Sequence, residues 1–446
     1  MAVRWRLHVI ASPDRAACGR VYELSPGQWT LGRAPESSAN ILPIHDTTLS
    51  RCHARLDVQQ GTERLQIRDL DSRNGTFCNG ARIKTADLGH AGVMRVGATV
   101  LIVEADLGRR APFEQPTADV PGQSEVARMI RGELDDAAAD NLPALIQGDT
   151  GTGKEHAAME LHRRSGRRGR LVRFNVAAVP ESLFEGELFG HVAGAFTGAT
   201  AARPGRVRES QGGTLVLDEI GELPMVMQAK LLRMLEERTV RPVGANTDFP
   251  VDVRYVASTN ADLQRLVNEG RFRRDLLARL RSHVVHLPPL CKRLPDLLDL
   301  ADVVAPLADE KALRPSSWRQ ALPAEVLEIL LRYQWPDNLR ELRAVLRQAA
   351  RRLAEGAEGL QVLPEALLVQ MPPIGGPPDD VPRNPGRILQ KDRPDASALY
   401  AMLAEYQGNI DQIAKATGRH RRQVYRWLTY AGIDETEVDR YRRGEL

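Results

Sequence analysis

The sequence predicts a multidomain chain: an all-β sandwich over residues 1–107, an α/β core with a helical lid over 120–371, and an all-α domain over 395–446. Two features set the folds. Short apolar stretches separated by Gly, Asn and Asp fill the first part, the pattern of a β-sandwich. From Val120 onward, strand-like apolar runs alternate with longer amphipathic helices, the pattern of a parallel α/β sheet. A third feature sets the boundaries: proline-containing stretches without periodicity lie at 108–119 and 372–394,.

In the first domain the strand candidates are Arg6–Ile10, Trp29–Leu31, His53–Val58, Leu65–Ile67 and Val100–Val103. In the second they are LPALIQ, TLVLDEI and VRYVAST, with QAKLLRMLEE and AEVLEILLRY among the helices. From about Leu294 the pattern is helical, which predicts a lid after the α/β core. The second linker carries six prolines between 372 and 385 and forms no regular element,. There is no internal repeat.

With 446 residues the chain is too long for one ordinary core,. A charged fraction of 27% and a hydrophobic fraction of 42% belong to a globular protein in water,. A net charge of +3 decides nothing about nucleic acid, but its distribution is informative: Lys415 to Arg426 holds five Lys and Arg residues and no acid,. Cys18, Cys52, Cys78 and Cys291 have neither C-x-x-C nor zinc spacing, so reduced thiols are expected,. No apolar run approaches a bilayer span, and MAVRWRLHVI lacks the apolar core of a signal peptide; a cytoplasmic protein is expected,.

GDTGTGKE at 148–155 lies between a strand and a helix, the context of a phosphate-binding loop,. Gly148, Gly151 and Gly153, with Asp149, Thr150 and Thr152 between them, let backbone N–H groups close on phosphate oxygens, and Lys154 reaches the β- and γ-phosphates. Glu155 stands where the general motif has Ser or Thr for magnesium. TLVLDEI ends in two carboxylates: Asp218 to hold Mg2+, directly or through water, and Glu219 to orient and deprotonate the attacking water. ATP and Mg2+ are therefore the expected ligands.

ELFGHVAGAFTGA at 187–199 resembles the surface loop of sigma-54-dependent activators, the bacterial enhancer-binding proteins of the AAA+ class. Gly194, Ala195, Phe196, Thr197, Gly198 and Ala199 match the family hexapeptide without a mismatch. The resemblance implies sigma-54 contact through this loop, with Phe196 and Thr197 at its tip. It covers about 250 residues and implies further roles: Asn175 as the switch on Glu219, Thr259 and Asn260 as the first sensor, Arg273 and Arg279 as arginine fingers reaching a neighbour's site, and Arg340 as the second sensor,. Glu155 is usual in this family. Asp337 replaces a usual glycine, and Cys291 and Lys292 interrupt a usual Arg-Glu pair.

GNIDQIAKATGRHRRQVYRWLTYAGI at 408–433 resembles the Fis-type helix-turn-helix of the same family. Leu399, Leu403, Ile413, Ala414, Val424 and Leu428 fall at helical spacings and predict a small core. The resemblance implies DNA contact by Arg421, Arg422, Tyr425 and Arg426, with His420 at the helix cap. Gly32-Arg33, LSRCHARL at 49–56 and DLDSRNGTFCNG at 69–80 resemble a forkhead-associated (FHA) domain. That match implies phosphothreonine binding by Arg33, Ser50, Arg51, Arg73 and Asn74, with His53, Thr76 and Asn79 bracing the loops.

Together these readings describe an ATP-hydrolysing transcriptional activator. Its expected partners are sigma-54 and RNA polymerase, enhancer DNA, a threonine-phosphorylated protein, and copies of itself in a ring, a hexamer by resemblance. No membrane partner is expected. The alternatives are an AAA+ enzyme of another class and a phosphoprotein-binding DNA adaptor with an inactive motor.

Overall fold

The computed structural model describes residues 4–35, 40–59, 64–106, 115–196, 199–307 and 317–369, and in the C-terminal part 399, 402–404, 406, 409–416 and 424. Met1–Pro378 and Asp379–Leu446 form separate compact units.

The first unit begins with a β-sandwich of β1 (Arg4–Ala11), β2 (Val21–Leu24), β3 (Gly27–Gly32), β4 (Ile41–Pro43), β5 (Ala54–Val58), β6 (Leu65–Asp69), β7 (Thr76–Cys78), β8 (Ala81–Ile83), β9 (Thr85–Leu88), β10 (Val93–Val96) and β11 (Thr99–Asp106). One sheet runs β2-β1-β11-β10-β7-β8 and the other β4-β3-β5-β6-β9. Alternation along β5 and β6 buries Leu56, Val58, Leu65 and Ile67 in one cluster with Trp5, Leu7, Leu101 and Val103 of the facing sheet,.

The α/β core follows: α1 (Glu125–Ala138), β12 (Ala144–Gln147), α2 (Lys154–Arg164), β13 (Leu171–Asn175), α3 (Glu181–Phe189), α4 (Gly205–Glu209), β14 (Thr214–Asp218), α5 (Met225–Glu237), β15 (Thr239–Val240), β16 (Phe249–Pro250), β17 (Arg254–Thr259), α6 (Leu263–Asn268), α7 (Arg274–Leu280) and β18 (His283–His286). Five strands pair in parallel in the order β13-β14-β17-β12-β18. β14 is a nearly continuous apolar run and β17 is buried along its whole length, because both faces of the sheet are covered,. β13 and β18 were not anticipated from the sequence; each is short, β13 with polar Arg173 and Asn175 on one face and β18 with a histidine at either end of two valines.

The lid consists of α8 (Leu297–Val304), α9 (Trp318–Ala321), α10 (Ala324–Arg332), α11 (Asn338–Ala354) and α12 (Glu365–Val369). Its core is shared with the sandwich: Ile10, Val93, Val100 and Ile102 are buried in one cluster with Leu327, Leu330, Trp318 and Trp335. The Arg95 guanidinium lies 3.8 Å from the Phe77 ring centre and donates to Glu328 Oε2 at 2.7 Å. Arg319 donates to the Ile10 carbonyl and to Asp299.

In the second unit, Leu399, Leu403, Ile410, Ile413, Ala414 and Val424 form a small buried cluster. Asn409 Oδ1 accepts from Gln412 N at 3.2 Å at the start of helix Ile410–Ala416,. Leu428 and the DNA-contact candidates His420, Arg421, Arg422, Tyr425 and Arg426 lie outside the described residues. No helix of the described residues is long and apolar enough to cross a membrane. All four cysteines are free.

Candidate functional site

Parallel strand pairing brings the candidate nucleotide residues to one edge. Gln147 is in register with Thr259, and Asn175 with Asp218. The residues leaving the carboxyl ends of β12, β13, β14 and β17 therefore line one crevice, the place where open α/β sheets receive ligands. Gly148–Gly153 joins β12 to α2, and both Gly151 (φ +79°) and Gly153 (φ +99°) adopt left-handed backbone,. A side chain at Gly151 would meet the Asp337 carbonyl at 2.4 Å, so the lid lies directly on the loop.

Lys154 Nζ donates to the Gly148 carbonyl at 2.9 Å and the Asp149 carbonyl at 3.3 Å. Burial lowers its pKa, while Glu219, Asp218 and Asp149 pull the other way. Glu219 has φ +54°, a left-handed conformation uncommon for a non-glycine residue and concentrated at functional positions,. Its Oε2 accepts from Asn260 N at 3.4 Å, and Asn260 Nδ2 donates to Thr150 Oγ1 at 3.0 Å. Asn260 thus links the loop to Glu219. Thr259 is buried, with Oγ1 accepting from Ala261 N at 3.0 Å.

Asp218 accepts from Ser258 Oγ, and Arg173 Nη2 lies 3.6 Å from its other oxygen while also pairing with Glu155. Arg173 and Ser258 were missed in the sequence. Strand alternation along LVRFN could have placed Arg173 two residues before Asn175 on the same face. Asn175 Oδ1 accepts from Ala177 N at 3.0 Å, and among the described residues it makes no bond to Glu219. Arg340 lies on the first turn of α11, with Cβ 3.4 Å from the position a side chain at Gly151 would take. A cavity of about 20 Å³ beside the loop is lined by Val120, Ile130, His156, Leu300 and Leu339, among others.

Arg273 precedes α7 and forms a two-point contact with Asp275, at 3.1 and 2.7 Å. Arg279 is exposed, and no ion pair holds it among the described residues. Neither arginine bonds to the phosphate loop of its own chain among the described residues.

The loop carrying Gly194–Ala199 is closed at its base by Gly194 N donating to the Ala199 carbonyl at 2.8 Å. Phe196 is 43% exposed and stands edge-on to His191 at 5.0 Å. Thr197 and Gly198 lie outside the described residues.

On the sandwich, three loops converge. Arg33 N donates to the Ser50 carbonyl at 3.0 Å, Arg73 N to Ser50 Oγ at 3.1 Å, and Asn74 Nδ2 to the Thr48 carbonyl at 2.6 Å. Arg33, Arg51, Arg73 and Asn74 are exposed and Ser50 is half-buried. His53 is fully buried, accepting from Ser50 N at 3.1 Å and facing the Gly75 carbonyl at 3.2 Å. Those partners require the neutral ring with the proton on Nε2, and burial lowers its pKa accordingly,. Thr76 Oγ1 and Ser72 Oγ both donate to Asp69 Oδ1 at 2.6 Å. Asn79 Oδ1 accepts from Val93 N at 3.0 Å.

Residues 120–286 match the sigma-54 interaction domain family and residues 29–97 the FHA domain family. The chain is 44% identical over 268 residues to the nitric oxide reductase transcription regulator NorR1 of Cupriavidus necator, covering 59% of this chain and 52% of that protein. It is 35% identical over 314 residues to the acetoin dehydrogenase operon transcriptional activator AcoR of Bacillus subtilis, covering 69% and 50%. It is 37% identical over 319 residues to the transcriptional regulatory protein ZraR of Klebsiella oxytoca, covering 70% of each. The chain thus spans about half the length of NorR1 and AcoR and over two thirds of ZraR. Carrying a sigma-54 interaction domain behind an FHA domain, the chain belongs to the family of sigma-54-dependent transcriptional regulators.

Proposed function

We propose that this protein hydrolyses ATP and uses the cycle to drive sigma-54 RNA polymerase from a closed to an open promoter complex, under control of phosphothreonine recognition. The observation that carries the reading is the crevice where Gly148–Glu155, Asp218, Glu219, Thr259 and Asn260 meet at the carboxyl edge of one parallel sheet. Loop N–H groups and Lys154 hold the phosphates. Glu219, bonded to Asn260, orients the attacking water and takes its proton. Asn175, in register with Asp218, and the Thr259–Asn260 sensor relay the state of the γ-phosphate, and Arg340 reads it from the lid.

The donor set at the crevice fits magnesium, which takes one or two carboxylates and completes its shell with phosphate oxygens and water. Asp218 would hold it, and the ion would neutralise charge on the phosphates. Arg273 and Arg279 act on a neighbouring copy's nucleotide, which makes the working form a ring, of six copies by resemblance. Phe196 and Thr197 present the sigma-54 contact. Arg33, Ser50, Arg51, Arg73 and Asn74 bind a phosphothreonine on a partner protein, and Arg421, Arg422, Tyr425 and Arg426, with His420 at the helix cap, engage enhancer DNA. The working compartment is the cytoplasm.

Phosphate release by the purified full chain tests the motor. Wild type turns over ATP, and Glu219→Gln retains nucleotide binding with turnover lost. Activity unchanged in that variant removes Glu219 from its role, and an inert wild type favours the adaptor reading.

A further inference from the structure

We propose that Asn338 and Arg293 are positioning residues that set the peptide orientations of the phosphate loop, so that the lid holds the loop's N–H groups toward the nucleotide. The inference rests on the ATP-binding reading above and goes beyond it, because neither residue belongs to the assigned site.

A loop that converges its N–H groups on an anion must turn its carbonyls away, and each buried carbonyl then needs a donor elsewhere. Every carbonyl from Gly148 to Thr152 has one. Gly148 is served by Lys154 Nζ at 2.9 Å and Asp149 by Thr152 Oγ1 at 2.8 Å, both from within the loop and its helix. The next three are served from the lid or its approach: Thr150 by Asn338 Nδ2 at 3.0 Å, Gly151 by Leu339 N at 2.9 Å, and Thr152 by Arg293 Nη2 at 2.6 Å. Lys154 is the donor that turns to phosphate, which leaves the lid donors as the fixed ones.

Both side chains carry marks of a role at the loop. Asn338 is 2% exposed and held at φ +53°, and its Oδ1 accepts from Leu290 N at 2.7 Å, so both ends of the amide are committed. Arg293 is 5% exposed, its Nε has no hydrogen-bond partner, and it forms no ion pair among the described residues. The nearby Asp296 carboxylate is taken by Ser124 N and Oγ instead. A buried guanidinium without a carboxylate is costly. The charge of Asp296 offsets part of that cost, and among the described residues the hydrogen bond of Arg293 goes to the Thr152 carbonyl, which ties the side chain to the loop.

The competing role is attachment of the lid alone. Asn338→Gly separates the two: glycine accepts the left-handed backbone, and the change alters no charge, so no loss can come from weakened attraction for phosphate. Arg293→Met removes the second donor, and Arg293→Lys restores a donor of the same charge. The experiment titrates each full-length variant with mant-labelled ADP, alongside its melting temperature without nucleotide and its circular dichroism. The expected result is a Kd raised about tenfold in folded Asn338→Gly and in Arg293→Met, with most of the affinity regained in Arg293→Lys. Melting that falls while Kd stays at the wild-type value overturns the proposal and leaves attachment. Should Arg293→Met fail to fold, Asn338→Gly decides alone. A wild type that binds no mant-ADP overturns the nucleotide reading and this one together; a binding wild type with unchanged variants overturns only this one.

Discussion

Gly32→Ala should disable the end of the sandwich that gathers the three loops. A β-carbon at Gly32 would lie 2.0 Å from the Arg51 carbonyl oxygen and 2.8 Å from its carbon. Both are backbone atoms, so no side chain can turn aside. Strand β3 would have to withdraw from the Ser50–Cys52 segment by roughly 1.4 Å to reach ordinary contact,. That movement breaks the Arg33 N to Ser50 bond at 3.0 Å and the Ala34 N to Arg51 bond at 3.3 Å. Overpacking of this kind costs about 1–3 kcal/mol, and the two backbone bonds add about 0.5–1.5 kcal/mol each. The sum, roughly 2–6 kcal/mol, lowers the melting temperature of a domain this size by about 10 °C or more. Gly19→Ala is the control: its φ is +76° but nothing lies within 4 Å, so only backbone strain of about 1–2 kcal/mol remains,. The assay is thermal unfolding of the full chain, with hydrogen exchange of the Arg33 and Ala34 amides and calorimetry with a phosphothreonine peptide. Melting within 2 °C of wild type, together with unchanged peptide affinity and protection, would refute the close-approach argument.

Arg279→Ala should lose ATP hydrolysis as a homo-oligomer and regain part of it when mixed with Lys154→Ala, because the two defects fall on different sides of a shared site; no recovery in rings shown to be mixed counts against a finger acting in trans. Arg33→Ala should weaken phosphothreonine-peptide binding by about ten- to a hundredfold with the sandwich still folded, and equal binding of phosphorylated and unphosphorylated peptides by wild type would end the reader hypothesis. The pH dependence follows from His53, whose folded pKa is lowered from 6.5 by burial. Above 6.5 the ring is neutral in both states; below it the unfolded chain takes up a proton that the folded chain resists. Sandwich stability should therefore fall as pH drops from 6.5 through the folded pKa, and His53→Gln should flatten that slope in pH-resolved unfolding.

The placement of the candidate nucleotide residues at the carboxyl edge of the parallel sheet was legible because local rules set it. A glycine-rich turn between strand and helix, and two carboxylates at the end of a continuous apolar strand, each carry their chemistry within eight residues,. The loops of the sandwich were legible for the same reason. The lid clamp was not: Asn338 and Arg293 act on carbonyls more than a hundred residues away, and no spacing encodes that contact. The core shared by sandwich and lid had a signal that passed unread. Val100–Val103 is continuously apolar where a half-exposed strand would alternate, and Val9, Ile10 and Ala11 are all buried in β1. Burial on both faces means that something covers the outer one, and here it is α10 of the lid,. Arg173 went unread because an arginine inside a short strand has the look of a solvated edge residue, whereas it bridges Glu155 and Asp218.

The central claim is that nucleotide turnover is coupled to sigma-54 through the loop at Gly194–Ala199. Open-complex formation by sigma-54 RNA polymerase on a melted-state reporter promoter, with purified Thr197→Ala against wild type, measures that coupling directly. The expected result is ring assembly and ATP hydrolysis at wild-type rates with open complexes lost. Open complexes at the wild-type level, or their loss only in step with ATP hydrolysis, would contradict it.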